Sequence, residues 1–150
     1  MKKLLIYILL CLWPLLAYAA GGLSTDWGEV VVEGLQIGKT YDLNQAAPSP
    51  FKISNKFEGE VTLKVKILLP EKSELKPGYE PITDPAWIIL EKEEITIPAF
   101  GQGTVNLKIS IPDDRKYIGK KFQFWIWSYT VGKSVGVGLK SRILISIKNE

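Results

Sequence analysis

Hydrophobic and polar residues alternate along much of this chain. From Glu60 to Leu69, Val61, Leu63, Val65 and Ile67 fall on one side of an extended backbone, and Thr62, Lys64 and Lys66 on the other. Successive side chains of a strand point to opposite faces, so the pattern predicts a strand with one face on a core and one in water. Thr104 to Ile111 repeats it, with Val105, Leu107, Ile109 and Ile111 alternating with Asn106, Lys108 and Ser110. Such half-buried strands are the habit of antiparallel sheets.

Weaker strands fill the rest of the chain. Glu29 to Leu35, Lys39 to Leu43 and Phe51 to Ser54 form an N-terminal group, broken by Gly34, Gly38 and the stretch Ala46-Ala47-Pro48-Ser49-Pro50. Trp87 to Leu90 and Glu94 to Ile97 form a middle pair, which Pro98 ends. Lys121 to Tyr129 and Gly136 to Lys148 are predicted to make a hairpin about Gly132-Lys133-Ser134. No window of helical length keeps apolar residues at i, i+3, i+4 and i+7. About seven to nine short strands with regular turn signals predict an Ig-like antiparallel β-sandwich over residues 29–148.

The first residues read differently. Lys2 and Lys3 precede an apolar run from Leu4 to Leu16, and Ala17 and Ala19 occupy the two positions that a signal peptidase reads. The run is shorter than the roughly 20 residues that span a bilayer. Residues 1–19 are therefore expected to be a cleavable signal peptide, followed by a flexible segment over 20–28. The mature chain is then exported to the periplasm or cell surface without a stable membrane anchor.

Charge and missing residue types narrow the chemistry. Without Lys2 and Lys3 the 19 basic residues fall to 17 against 16 acidic ones, a net of +1, which gives no electrostatic case for nucleic acid. The chain has no histidine, and its one cysteine, Cys11, lies in the leader. A mature disulfide, a thiol nucleophile, an imidazole base and a His/Cys metal set are thus absent. No cofactor is expected, and no enzyme.

Three stretches carry a resemblance. Phe51-Lys52-Ile53-Ser54-Asn55 followed by Glu60 to Val65 resembles the strand, Asn, turn, strand opening of bacterial Ig-like modules. Ile95 to Gly101 followed by Val105 to Pro112 resembles their middle hairpin, and Tyr117 to Phe122 the glycine-containing entry to their penultimate strand. The chain thus resembles the Ig-like and fibronectin type III-like accessory domains of exported bacterial proteins, and distantly the peptidoglycan-binding part of WxL-interacting proteins. That resemblance implies a fold and an envelope address, not an activity. The inter-sheet cysteines of antibody domains are missing, and Tyr117 is a candidate for their corner tyrosine.

The penultimate strand carries the main candidate surface. With Phe122, Phe124, Ile126 and Ser128 turned to the core, Gln123, Trp125, Trp127 and Tyr129 turn away from it. Burying one tryptophan contributes about 4–6 kcal/mol, so something should cover this stripe. In a hairpin, Lys140 or Arg142 would lie across the rings as a cation–π neighbour. The cover is the chain's own N-terminal segment or its Pro70–Pro85 loop, or a protein partner, or a stacked glycan.

The stretch from Pro70 to Ala86 holds prolines 70, 77, 81 and 85, and a stiffened connection suits recognition as well as a plain crossover. Tyr79, Ile82 and Trp87 would be its contact residues. Asp113-Asp114 and the cluster Glu91, Glu93, Glu94 are the remaining candidates for acid–base or calcium chemistry, but neither has calcium-loop spacing and both sit where turns are expected.

A non-catalytic interaction or structural module, with another envelope protein or itself as partner, is the leading expectation. A filament subunit that donates Gly21 to Asp26 to a neighbour's sheet edge is an alternative, as is a glycan or peptidoglycan binder. A two-domain pilus chaperone does not fit 131 mature residues.

Overall fold

A computed structural model of the chain describes residues 21–132 and 136–149. The leader with Ala17 and Ala19, and Lys133 and Ser134 of the expected turn, lie outside the described residues. Twelve strands occur among the described residues: β1 (Leu23–Thr25), β2 (Glu29–Leu35), β3 (Thr40–Asp42), β4 (Lys52–Asn55), β5 (Val61–Leu68), β6 (Glu80–Pro81), β7 (Ile88–Leu90), β8 (Glu94–Ile97), β9 (Gln102–Thr104), β10 (Leu107–Ser110), β11 (Lys121–Val131) and β12 (Gly138–Ile147). A four-residue helix, α1 (Leu43–Ala46), follows β3.

The long sheet has the order β2-β12-β11-β5-β8, with β6 beside β11 beyond the end of β5. Two shorter ladders, β1-β4-β9 and β3-β10-β7, face it. Ile53, Leu107 and Ile109 from the short ladders share one core with Leu63, Phe124, Ile126 and Ile145 from the long sheet. This is the Ig-like sandwich expected from the alternation. β11 and β12 pair antiparallel from Lys121↔Ser146 to Tyr129↔Gly138, as a hairpin requires.

The sandwich is not purely antiparallel. β2 runs parallel to β12, with Val30 opposite Ile143, and β6 runs parallel to β11. Alternation reports which face is buried, and it does so equally for either direction. The predicted strand from Thr104 to Ile111 is also two strands, because its outer partner changes from β4 to β3. Asn44 at the start of α1 sits at that change: its Nδ2 donates to the Val105 carbonyl at 2.9 Å, and its Oδ1 accepts from the Phe51 N–H at 2.8 Å. The strand expected over Lys39 to Leu43 ends early for a related reason. The Asp42 carboxylate accepts from the Asn44 N–H at 2.9 Å and starts the helix, as an N-cap does.

The expected flexible segment over 20–28 is fixed to the sandwich from residue 23 onward. β1 pairs with β4, Leu23 opposite Asn55 and Thr25 opposite Ile53. Trp27 is only 1% exposed, stacks on Phe51 with centroids 4.8 Å apart, and donates its indole N–H to the Ser49 carbonyl. One aromatic anchor among small and polar residues leaves no periodic signal, yet it contributes several kcal/mol of burial.

Asn55 bears the load at the opposite end of β4. It is 2% exposed, and its Nδ2 donates to the carbonyls of Gly59, Ile97 and Pro98 while its Oδ1 accepts from the Phe57 N–H. The strand, Asn, turn pattern quoted above thus joins two loops that would otherwise leave carbonyls unpaired.

Candidate interaction surface

β11 runs through the middle of the long sheet, so its outward side chains have neighbours on both sides. Leu68, Trp125, Arg142 and Glu29 form one row across β5, β11, β12 and β2. Lys66, Trp127 and Lys140 form the next, and Lys64, Tyr129 and Gly138 the one beyond.

The first row is closed by the chain itself. The connection after Pro70 folds over the sheet and is held by Gln123, which is fully buried. Gln123 Oε1 accepts from the Lys76 N–H, and Nε2 donates to the Glu74 carbonyl, both at 2.9 Å. Trp125 beneath is 8% exposed. The Lys140 ammonium stands 4.4 Å from its ring centre and the Arg142 guanidinium 4.7 Å. A carboxylate tethers each cation: Glu74 binds Lys140 at 2.5 Å, and Glu29 binds Arg142 at 3.0 Å and Lys76 at 2.5 Å.

The energies rank these contacts. Half-exposed ion pairs add little stability, while burying the Trp125 ring is worth about 4–6 kcal/mol. The ion pairs therefore place the loop, and the indole holds it. The Lys76 ammonium first, then the Arg142 guanidinium, keeps the Glu29 carboxyl below the usual glutamate range. The Lys140 ammonium and then the Glu71 N–H do the same for Glu74. The Trp125 Nε1 proton and the Arg142 Nε proton make no hydrogen bond, although the indole lies close to Glu74.

Trp127 and Tyr129 are less covered. Both are half-buried, with ring centres 6.0 Å apart and planes inclined by 23°. Lys66 stands 5.7 Å over the Tyr129 ring. The far edge of the Trp127 indole occupies the space above Gly138, where a Cβ would come within 2.5 Å of it. Leu68 and Leu69 are exposed at the end of β5, Leu68 in the Trp125 row. Of the five residues predicted for this surface, Trp125 is thus sealed under Lys140 and Arg142, while Trp127 and Tyr129 remain accessible.

Two of the three contact residues predicted for the recognition loop belong to the core. Ile82 is 1% exposed and Trp87 5%, with Trp87 edge-on to both Tyr117 and Phe122. Only Tyr79 stays half-buried, with Lys121 5.8 Å from its ring. Proline density signals a stiff segment but does not say which face its apolar residues turn. The alternation places Gln123, which holds the loop, only on the outward face. Its signal was a lone amide among aromatics.

Two of the carboxylate candidates, Asp114 and Glu91, have structural partners. Asp114 accepts from the Lys116 N–H and pairs with its ammonium, which holds the Asp114 carboxyl below its usual range. Glu91 accepts from Asn106 Nδ2. Two Ser-x-x-Lys spacings occur, Ser49/Lys52 and Ser73/Lys76, and the Lys76 ammonium is bound to Glu29. Among the described residues, no group of three acidic, His or Cys side chains is placed to hold a metal ion. No described helix is long and apolar enough to cross a membrane.

No protein-family model and no curated protein matches the sequence. Solved structures do match the fold. The PapD-like domain 7 of human CEP192 aligns with a TM-score of 0.58 at 11% identity, over 85% of this chain and 87% of that one. The periplasmic chaperone SfaE aligns at 0.56 and 10% identity, over 84% of this chain and 58% of that one. A putative carbohydrate-binding protein from Bacteroides ovatus aligns at 0.61 and 12% identity, over 85% of this chain but 37% of its own length. At these identities the likeness shows the fold: a PapD-like, Ig-like β-sandwich, matching one part of the chaperone and of the carbohydrate-binding protein.

Proposed function

We propose that the chain is a non-catalytic interaction module of the cell envelope, and that it meets a protein partner through the outer face of its long sheet at Trp127 and Tyr129. The observation that carries this reading is the pair of half-buried rings flanked by Lys66 and Lys64, with the exposed Leu68 one row further along the same face. Accessible aromatics with neighbouring cations and apolar residues mark interface centres, where a partner's burial of each ring is favourable. The leader-like first 19 residues and the structural likeness to a periplasmic chaperone support the envelope address. The fold likeness to a putative carbohydrate-binding protein keeps a glycan as the second reading, since aromatic faces also stack on sugar rings. Strand donation by residues 21–26 is weakened, because β1 already pairs with β4 of its own chain.

A benzophenone photo-crosslinker placed at Lys66 tests the reading against isolated cell envelopes. Adducts with a defined protein, abolished by Trp127→Ala and absent with the crosslinker at Lys52 on the other layer, are expected. Sedimentation with purified peptidoglycan that Trp127→Ala abolishes would favour the glycan. No adduct and no sedimentation would overturn both.

A further inference from the structure

The three cations gathered around the Trp125 row each have a carboxylate. Arg142 and Lys76 are bound to Glu29, and Lys140 to Glu74. Lys64 and Lys66 on β5 differ. Both are exposed, and neither makes an ion pair among the described residues. They stand in the rows of the accessible rings, Lys66 beside Trp127 and Lys64 beside Tyr129. The Lys66 ammonium leans over the Tyr129 ring, 5.7 Å from its centre.

Alternate residues of a strand share a face and lie about 7 Å apart, so two positive charges line one side of the ring pair. The opposing charge there is sparse. Glu94, across from Lys64 on β8, is the one carboxylate in register with the two lysines, and it makes no ion pair with either. On the β12 side Gly138 carries no charge, and Lys140 is already neutralised by Glu74. The rim of the accessible rings is therefore net positive, while the neighbouring Trp125 row supplies its own carboxylates.

We infer that the partner presents an acidic protein segment to this rim: its apolar side chains cover Trp127 and Tyr129, and carboxylates beside them meet the Lys64 and Lys66 ammonium groups. This rests on the protein-partner reading of the ring pair and specifies its chemistry. Charges at the rim of an interface steer encounter and decide which partner is accepted more than they add affinity. Two lysines along one side of an apolar patch thus select carboxylates. A second copy of the chain meeting this one through the same patch would set lysines against lysines, and like charges across an interface are disfavoured. A neutral glycan would stack on the rings but offers no charge to the two ammonium groups.

The test is a titration of isotope-labelled protein with three blocked peptides of equal length, in which Leu alternates with Glu, Gln or Lys. The Glu–Leu peptide is expected to shift the Trp127 indole N–H and the Lys64 and Lys66 amides. It should bind roughly three- to tenfold more tightly than the Gln–Leu peptide, the worth of two exposed ion pairs, and lose that advantage as salt is raised. Lys64→Gln/Lys66→Gln, an exposed change that spares the core, should remove the preference, and Lys64→Glu/Lys66→Glu should transfer it to the Lys–Leu peptide. Trp127→Ala should weaken all three peptides alike. Equal binding of the Glu–Leu and Gln–Leu peptides, both abolished by Trp127→Ala, would overturn the acidic partner and leave the aromatic interface standing. Charge-selective binding that Trp127→Ala leaves unchanged would overturn the aromatic interface and keep the lysines. No shift at millimolar peptide, or tighter binding of an oligogalacturonate than of the Glu–Leu peptide, would overturn the proposal, the latter in favour of an anionic glycan.

Discussion

Arg142 lies directly across the β11–β12 ladder from Trp125, and its guanidinium carbon stands 4.7 Å from the centre of the indole ring. Lys140, two residues earlier on the same face, reaches the same ring at 4.4 Å. One aromatic side chain is thus roofed by two cations, and each cation is tied to a glutamate from a different part of the chain, Glu29 or Glu74.

Trp125→Ala should destabilise the fold by about 3–5 kcal/mol, the cost of removing a large buried aromatic. Chemical denaturation of the two proteins side by side checks this. Double replacement of Lys140 and Arg142 by Met, which retains most of the covering hydrocarbon, should cost far less, because exposed ion pairs contribute little.

Gln123→Leu leaves the Lys76 N–H and the Glu74 carbonyl without partners. A buried unpaired polar group costs about 1–3 kcal/mol. The expected result is a loosened loop over residues 70–81, with faster hydrogen exchange at Lys76 and more red-shifted tryptophan emission, while the far-ultraviolet spectrum stays that of a β protein. Unchanged exchange at Lys76 would remove Gln123 from its holding role.

Acid should weaken the same region. Glu29 and Glu74 have carboxyls held below the ordinary glutamate value of 4.5 by their cationic partners. Their contribution is complete above that value and is lost as pH falls through the lowered one. Stability measured from pH 7 down to pH 3 should therefore decline at the acid end, and Glu29→Gln/Glu74→Gln should flatten the decline. Because both groups are largely solvated, the effect should be small and should diminish in high salt.

Gly138→Ala places a methyl group where the Trp127 indole lies. The ring must swing away, and its contact with Tyr129 must change. A shift of the Trp127 indole N–H resonance is expected, with little loss of global stability. An unmoved resonance would show that the indole does not rest on this glycine.

Strand existence and inward parity were legible because alternation follows burial directly. Val61, Leu63 and Val65, and Phe122, Phe124 and Ile126, all face the core as their spacing indicates. The cross-strand meeting of Arg142 with Trp125 was legible in outline too, since a hairpin fixes opposite faces. What escaped was set by single residues without periodicity. Trp27 pins a segment that composition marks as loose, Asn44 sits where one strand becomes two, and Gln123 clasps a loop 47 residues before it. Nothing local says that Ile82 and Trp87, in the proline-rich stretch, turn inward.

The sequence by itself determined a β-sandwich with an aromatic stripe on its penultimate strand and no histidine to serve as an imidazole base, because periodicity and composition are local properties. Only the tertiary structure decided which part of the stripe is covered and that β2 pairs parallel with β12. Those outcomes depend on contacts between residues far apart in the chain. A hydrogen bond or a buried ring favours one such pairing by a few kcal/mol without leaving a local mark in either partner.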